Sequence, residues 1–230
     1  MKNTTSQIIK ELKNNKNQKP GYKEGMARFG ITYKKAYGVT LPMIQKIAKE
    51  YLKKMDEGER DLIAQELWTH EYQESKVMAP IIATPKIGWK VIEKWIKEFE
   101  NWTHTDIVCS NLLWKMPKAI EKALNYSKAM ELWKKRTGFV IMAVLAVRYK
   151  NELNPKVVKE FFKAIERESE DERNLIKKAV NWALRQIGKS APRYYVPAFR
   201  LSKKLSMSEN KTARWIGKDA YQELKGRKPK

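Results

Sequence analysis

The sequence predicts an all-α fold built from repeated helix pairs. Three observations carry that expectation. Apolar residues recur at spacings of three and four in residues 8–12, 44–52, 91–99, 157–165 and 176–187. Ten glycines and nine prolines make up about 8% of 230 residues, against a usual ~12%, too few turn-formers for many short strands. No stretch alternates apolar and polar residues with a turn signal every ~10 residues, as a β-sandwich requires.

In chain order, MKNTTSQIIKELKNN predicts an opening helix, and Lys19-Pro20-Gly21 a linker closing residues 1–20. Gly38, Pro42, Pro85, Pro117, Asn154-Pro155 and Pro192 mark further breaks, with Pro117 and Pro155 suited to the first turn of a helix. Four later helices open polar and then run apolar: TDIVCSNLLW from Thr105, KKRTGFVIMAVLAV from Lys134, IKKAVNWALRQIG from Ile176 and ARWIGKDAYQEL from Ala213. Asp106, Arg136, Lys177 and Arg214 mark those openings, at intervals near 40 residues. Helix pairs recurring at that period are the mark of HEAT-type α-solenoids, which bury each pair against its neighbours. A non-repetitive bundle is the alternative. In a solenoid the second helices line one concave face, which would gather Asp106, Arg136, Lys178 and Arg214 on a common basic surface.

The expected organisation is one domain over residues 1–230, with 225–230 a frayed basic tail. No run of ~18 uncharged apolar residues is present, so no membrane span is expected. The polar start lacks the apolar centre of a signal peptide, so the expectation is a cytoplasmic protein. Cys109 is the only cysteine, which excludes an internal disulfide framework. With His70 and His104 it cannot assemble a common zinc site, so neither metal nor cofactor is expected. The stretch 21–30 matches no phosphate or dinucleotide loop, and no Gly-x-Ser-x-Gly nucleophile motif occurs.

Charge narrows the partner. Lys and Arg total 48 against 26 Asp and Glu, a net of +22, which favours a polyanion. The excess is concentrated: residues 50–74 hold eight acids and three bases, whereas 175–230 hold fifteen bases and three acids. Such concentration suits a binding surface better than a uniform solubility coat.

Three constellations are candidates for chemistry. Lys178, Trp182, Arg185 and Lys189 share one face of a helix whose opposite stripe is Ile176, Val180, Ala183 and Ile187. An indole among cations suits phosphate neutralisation and contact with sugar or base; alternatively Trp182 packs on a neighbouring helix and the cations are solvated. In Asn101-Trp102-Thr103-His104-Thr105-Asp106, Thr103 and Asp106 have capping-box spacing, while an acid on a basic face also fits catalysis at a centre developing positive charge. Arg136 is either a structural ion-pair partner or a phosphate clamp. His70, Glu71 and His104 read as helix-end hydrogen-bonding groups rather than ligands.

Taken together these residues resemble the AlkD-like DNA glycosylases, alkylation-repair enzymes of HEAT-like repeats. The resemblance runs from about Met26 to Leu224 through MARFGI, YGVTLPMIQKIAKE, Glu66-Leu67-Trp68 with His70-Glu71, NWTHTD, LWKKR and KKAVNWALRQIGK. It implies a catalytic carboxylate at Asp106, active-site indoles at Trp102 and Trp182, and phosphate-contacting arginines at Arg136 and Arg185. It extends the expected DNA contacts to Lys178, Lys135, Lys189, Arg214, Arg28 and Phe29. It also implies the substrate, N3- or N7-alkylated purines in double-stranded DNA, released by hydrolysis of the N-glycosidic bond, with a monomer as the working form and no membrane partner. Three positions depart from the family pattern. Thr103 stands where a first acid is common, Phe29 where a tyrosine is, and Gln45 where an arginine is.

The chemistry is consistent with a lone acid. An alkylated purine is already cationic and leaves as a neutral base, so the second carboxylate of ordinary glycoside hydrolysis is unnecessary. Asp106 would stabilise the oxocarbenium-like sugar and orient water, and the indoles would attract the cationic base at ~0.5–2 kcal/mol each. The resemblance further implies that the lesion is not flipped into a pocket. Two rivals stand beside this reading: a relative that binds branched or damaged DNA without excision, and a protein- or RNA-binding scaffold.

Overall fold

The computed structural model describes residues 2–16 and 21–226, apart from the side chains of Lys2, Asn3 and Lys23. The linker expected at Lys19-Pro20 and the end of the basic tail lie outside the described residues. Thirteen α-helices are present among them: α1 (Lys2–Asn14), α2 (Tyr22–Arg28), α3 (Leu41–Leu52), α4 (Glu57–Trp68), α5 (Gln73–Ile82), α6 (Trp89–Lys97), α7 (Trp102–Asn111), α8 (Ala119–Tyr126), α9 (Leu132–Tyr149), α10 (Pro155–Arg167), α11 (Asn174–Ser190), α12 (Pro192–Ser206) and α13 (Lys211–Lys225). No strand is described; a single bridge joins Lys35 to Tyr72. The expected all-α class is what the chain adopts.

The helix starts follow local chemistry. Asp56 and Glu59 close a reciprocal capping box on α4, and Asn154 caps α10 with Pro155 in its first turn. Pro117 does not fill that role. It stands two residues ahead of α8, with Lys118 between them at φ 62°. Pro80 and Pro197 lie inside α5 and α12.

The helices gather into two compact units, Met1–Pro117 and Lys118–Lys230. In the first, α3, α5 and α7 form one row and α1 and α4 pack behind it. The α4 residue Trp68 stacks on Trp95 of α6 with centroids 4.5 Å apart and donates its indole N–H to Glu98 at 2.8 Å. In the second unit α9, α11 and α13 form a row, and α8, α10 and α12 pack behind it as their partners. Short connections place α4 beside α5, α8 beside α9, and α10, α11, α12 and α13 beside one another in turn. Each unit is thus a stack of helix pairs, as the ~40-residue recurrence predicts.

Pair packing is tightest at two glycines in the same helix position, the seventh of α9 and the seventh of α13. A Cβ at Gly138 would fall 2.6 Å from the Ser127 nitrogen, and one at Gly217 would fall 2.0 Å from the Ser206 nitrogen. Each inner helix therefore touches the backbone end of its outer partner, a contact only glycine permits. Gly25 in α2 has no atom within 4 Å of such a Cβ. Gly217→Ala should cost about 1–3 kcal/mol through overpacking. Gly25→Ala should instead stabilise by up to ~1 kcal/mol through helix propensity. Urea unfolding of both variants checks this opposite pair of signs.

Candidate active site and nucleic-acid interface

The start of α7 sets the positions of Trp102 and Asp106. Asn101, in extended conformation, accepts a hydrogen bond from the Thr103 amide at 3.0 Å and donates to the Thr32 carbonyl at 2.9 Å and to Gln73 Oε1 at 3.3 Å. His104 Nδ1 accepts from the Glu100 amide at 3.2 Å, which leaves the proton on Nε2 to donate to Gln73 Oε1 at 2.8 Å. Burial first, and then the Lys76 charge, lowers the His104 pKa to about 4, so the ring is neutral near pH 7. Its helix-end hydrogen-bonding role is the one the sequence suggests.

The capping-box reading of Thr103 and Asp106 is corrected. Asn101 is the cap, so Asp106 is the fifth helical residue, two residues past the last of the orphan amides. Asp106 is half-buried and lies four residues after Trp102, on the same face of α7. The half-buried Trp102 donates its indole N–H to the Phe29 carbonyl at 2.8 Å. Phe29 itself is 74% exposed, and Arg28 beside it is exposed. The first unit therefore ties Trp102 to Phe29, with Arg28 next to Phe29 in the chain and Asp106 one turn along α7 from Trp102.

In the second unit the expected cations divide. Lys178 is exposed on α11, and Trp182 is half-buried one turn later. Arg185 bonds Glu223 of α13 at 2.5 Å and lies 3.5 Å from Asp219; Lys189 also bonds Glu223. Burial opposes the Glu223 charge, yet those two cations hold its pKa below the ordinary value. Arg214 donates to the Ser208 and Glu209 carbonyls at 2.9 and 3.3 Å, closing the turn before α13.

Lys135 and Arg136 depart furthest from the expected surface role. Lys135 is 6% exposed and ion-paired with Glu168 and, at 3.1 Å, Asp171. Arg136 is 5% exposed and donates to the Leu175 carbonyl at 2.8 Å, tying α9 to the start of α11. Lys135 is ion-paired and Arg136 hydrogen-bonded inside the fold, so in this arrangement they hold helices together rather than face solvent. Among the described residues no group of three His, Cys, Asp or Glu side chains is placed to hold a metal, and no helix is long and apolar enough to cross a membrane.

A sequence profile of the DNA alkylation repair enzyme family matches residues 8–224. This chain belongs to the DNA alkylation repair enzyme family. No curated protein sequence matches it. One solved structure, 18% identical over 98% of this chain and 97% of its own, superposes with a TM-score of 0.74; it represents a family related to the HEAT-like repeat DNA glycosylases with affinity for branched DNA structures. At that identity the likeness shows a shared HEAT-like repeat fold. An engineered protein, 13% identical over 97% of each chain, superposes with a TM-score of only 0.45.

Two features of this repair-family chain escaped sequence reasoning. Glu74, 2% exposed, accepts from the amides of Tyr37, Gly38 and Val39 at 2.9, 2.6 and 3.2 Å, a wrap that needs Gly38 at φ 80°. Trp215 of α13 is 40% exposed and lies under Lys177 of α11, whose ammonium is 4.7 Å from the ring centroid. The sequence signals were Gly38 before Pro42 and the ARWIG run, but each partner lies far along the chain.

The depressed His104 pKa fixes a pH dependence. An unfolded histidine takes up a proton near its ordinary 6.5 and the folded one only near 4, so unfolding binds protons between those values. His104 should therefore withdraw on the order of 3 kcal/mol of stability as pH falls through that window. His104→Gln, followed by denaturant unfolding across the same pH range, should flatten the dependence.

Proposed function

We propose that the chain is a DNA glycosylase that hydrolyses the N-glycosidic bond of N3- or N7-alkylated purines in double-stranded DNA. The observation that carries this reading is Asp106: a half-buried carboxylate one turn inside α7, beside Trp102 and outside the cap. Membership of the DNA alkylation repair enzyme family supports the substrate class. A carboxylate there costs affinity for a polyanion, and stabilising a sugar that turns cationic as the bond breaks gives it a purpose. Because the departing base is already positive, no second acid is needed, and Thr103 in place of a first acid leaves the reaction possible. Asp106 orients the water that adds to the anomeric carbon and takes up its proton; the base leaves with the bonding electrons and becomes neutral. Trp102 contacts the deoxyribose and the cationic base, and Trp182, in the second unit, contacts the DNA backbone. Arg28 and Lys178, exposed, contact phosphates, and Phe29 lies along the duplex. In this reading the protein works as a monomer on nucleoid DNA.

A second reading is a non-catalytic binder of branched DNA. It is favoured by the commitment of Lys135, Arg136, Arg185 and Lys189 to internal partners, and by the described affinity of the protein that shares the fold. Asp106→Asn separates the two. Under the glycosylase reading it should lower release of 7-methylguanine from methylated duplex by about 100-fold or more while leaving duplex affinity equal or higher. Release unchanged in the variant removes Asp106 from the chemistry.

The phosphate contacts have their own test. Lys178→Ala and Arg28→Ala should each weaken duplex binding and reduce the slope of log affinity against log salt by about 1. Lys135→Met should leave that slope alone and show its effect in stability.

A further inference from the structure

Two inner helices of the second unit carry the same spacing of residue types. On α11, Lys178, Trp182 and Arg185 stand at i, i+4 and i+7; on α13, Lys211, Trp215 and Lys218 repeat that spacing. Each set therefore shares one helix face. The two copies meet different surroundings. On α11, Trp182 is half-buried and Arg185 is held by Glu223 at 2.5 Å. On α13, Lys211 and Lys218 are exposed, and Trp215 keeps 40% of its surface in solvent.

An indole left in solvent needs a reason, because its large apolar surface favours burial. Other indoles of the chain serve the fold: Trp68 donates to Glu98, Trp89 to the Pro117 carbonyl and Trp114 to the Ser110 carbonyl. Trp215 instead meets the Lys177 ammonium, 4.7 Å from its ring centroid. That cation–π contact engages the ring from α11 and leaves its exposed part open. The two acids of α13 do not offset the charge around it. Asp219 lies 3.5 Å from Arg185, and Glu223 bonds Arg185 and Lys189, so both are drawn to cations of α11. Lys177, Lys178, Lys211 and Lys218 thus set the exposed indole in a positive field.

A cationic ligand is repelled by that field and a polyanion is attracted. The polyanion that also carries flat rings able to stack on an indole is a nucleic-acid strand. Inside an intact duplex the base faces are covered by neighbouring pairs, so an unpaired nucleotide is what offers a face. An anionic membrane fits less well, since Lys211, Lys218 and Gln222 share the face with one indole, where insertion needs an apolar face. We propose that the Lys211–Trp215–Lys218 face, together with Lys177, binds an unpaired nucleotide of a DNA strand, its base stacked on Trp215 and its phosphates against the lysines. The proposal rests on the DNA-binding part of the reading above and requires no base release.

Fluorescence anisotropy of the full chain tests it with labelled DNAs that share one duplex: blunt, with a single-stranded thymidine tail, and with an abasic tail of the same length. The abasic tail keeps the phosphates and lacks the bases. The thymidine tail should bind about tenfold tighter than the abasic one. Trp215→Leu should erase that difference and leave blunt-duplex affinity within about twofold, whereas Trp215→Tyr, which keeps a stackable ring, should retain most of it. An indole with a purely structural role would move blunt and tailed DNA together. Equal affinity for the two tails in the unsubstituted protein overturns the stacking, whether or not the variants fold. A thymidine preference that survives in Trp215→Leu overturns the site. Trp215-dependent binding to phosphatidylglycerol vesicles without a thymidine preference overturns the choice of partner. The two proposals fail separately: release of 7-methylguanine without a tail preference sinks only this face, and a tail preference without release sinks only the glycosylase.

Discussion

The candidate site depends on one buried polar cluster, in which Asn101, Gln73 and His104 share hydrogen bonds between the start of α7, the start of α5 and the Thr32 carbonyl. These groups are almost fully buried, so each unmade bond would cost its full desolvation. The cluster decides where α7 begins, and that decides everything on the helix downstream. With Asn101 as cap, Trp102 is the first helical residue and reaches back to the Phe29 carbonyl. Asp106 then falls on the same side, one turn deeper. A start shifted by two residues would make Asp106 an ordinary first-turn acid.

A second constraint governs the rows of helices. Gly138 and Gly217 let α9 and α13 approach the ends of α8 and α12 at backbone contact. Between these contacts the cations of the second unit act as ties: Lys135 joins α9 to the segment after α10, Arg136 joins α9 to α11, and Arg185 with Lys189 joins α11 to α13. A large positive charge on a repeat protein thus serves two purposes. Part of it is structural, set against half-buried carboxylates and against carbonyls. The remainder, Lys178 and Arg28 among it, stands in solvent where a polyanion can reach it.

Much of this was legible in the sequence, for reasons that separate local from distant information. Helical periodicity is local, and the ~40-residue recurrence is a pattern visible without knowing any contact; together they foretell the rows of helices. Asn154-Pro155 reads correctly because cap and first turn are adjacent. Thr103 misleads because its spacing to Asp106 satisfies the capping pattern, whereas the choice of cap was made by Asn101 through Gln73, 28 residues earlier in the chain. The face shared by Lys178, Trp182, Arg185 and Lys189 is real. What the pattern lacks is the identity of whatever faces it, and Glu223 lies 38 residues beyond Arg185. Glu74 escapes for the same reason: its three amide donors lie 35 to 37 residues before it. Periodicity reports which side of a helix a residue occupies, and tertiary partners decide whether that side is solvent.

The most direct measurement is a structure of the protein bound to duplex DNA carrying an uncleavable analogue of 3-methyladenine. The account requires the Asp106 carboxylate in contact with the anomeric carbon of the lesion, with Trp102 against its sugar. A complex in which the duplex is held with Asp106 turned from that sugar would leave a DNA-binding repeat protein and no glycosylase.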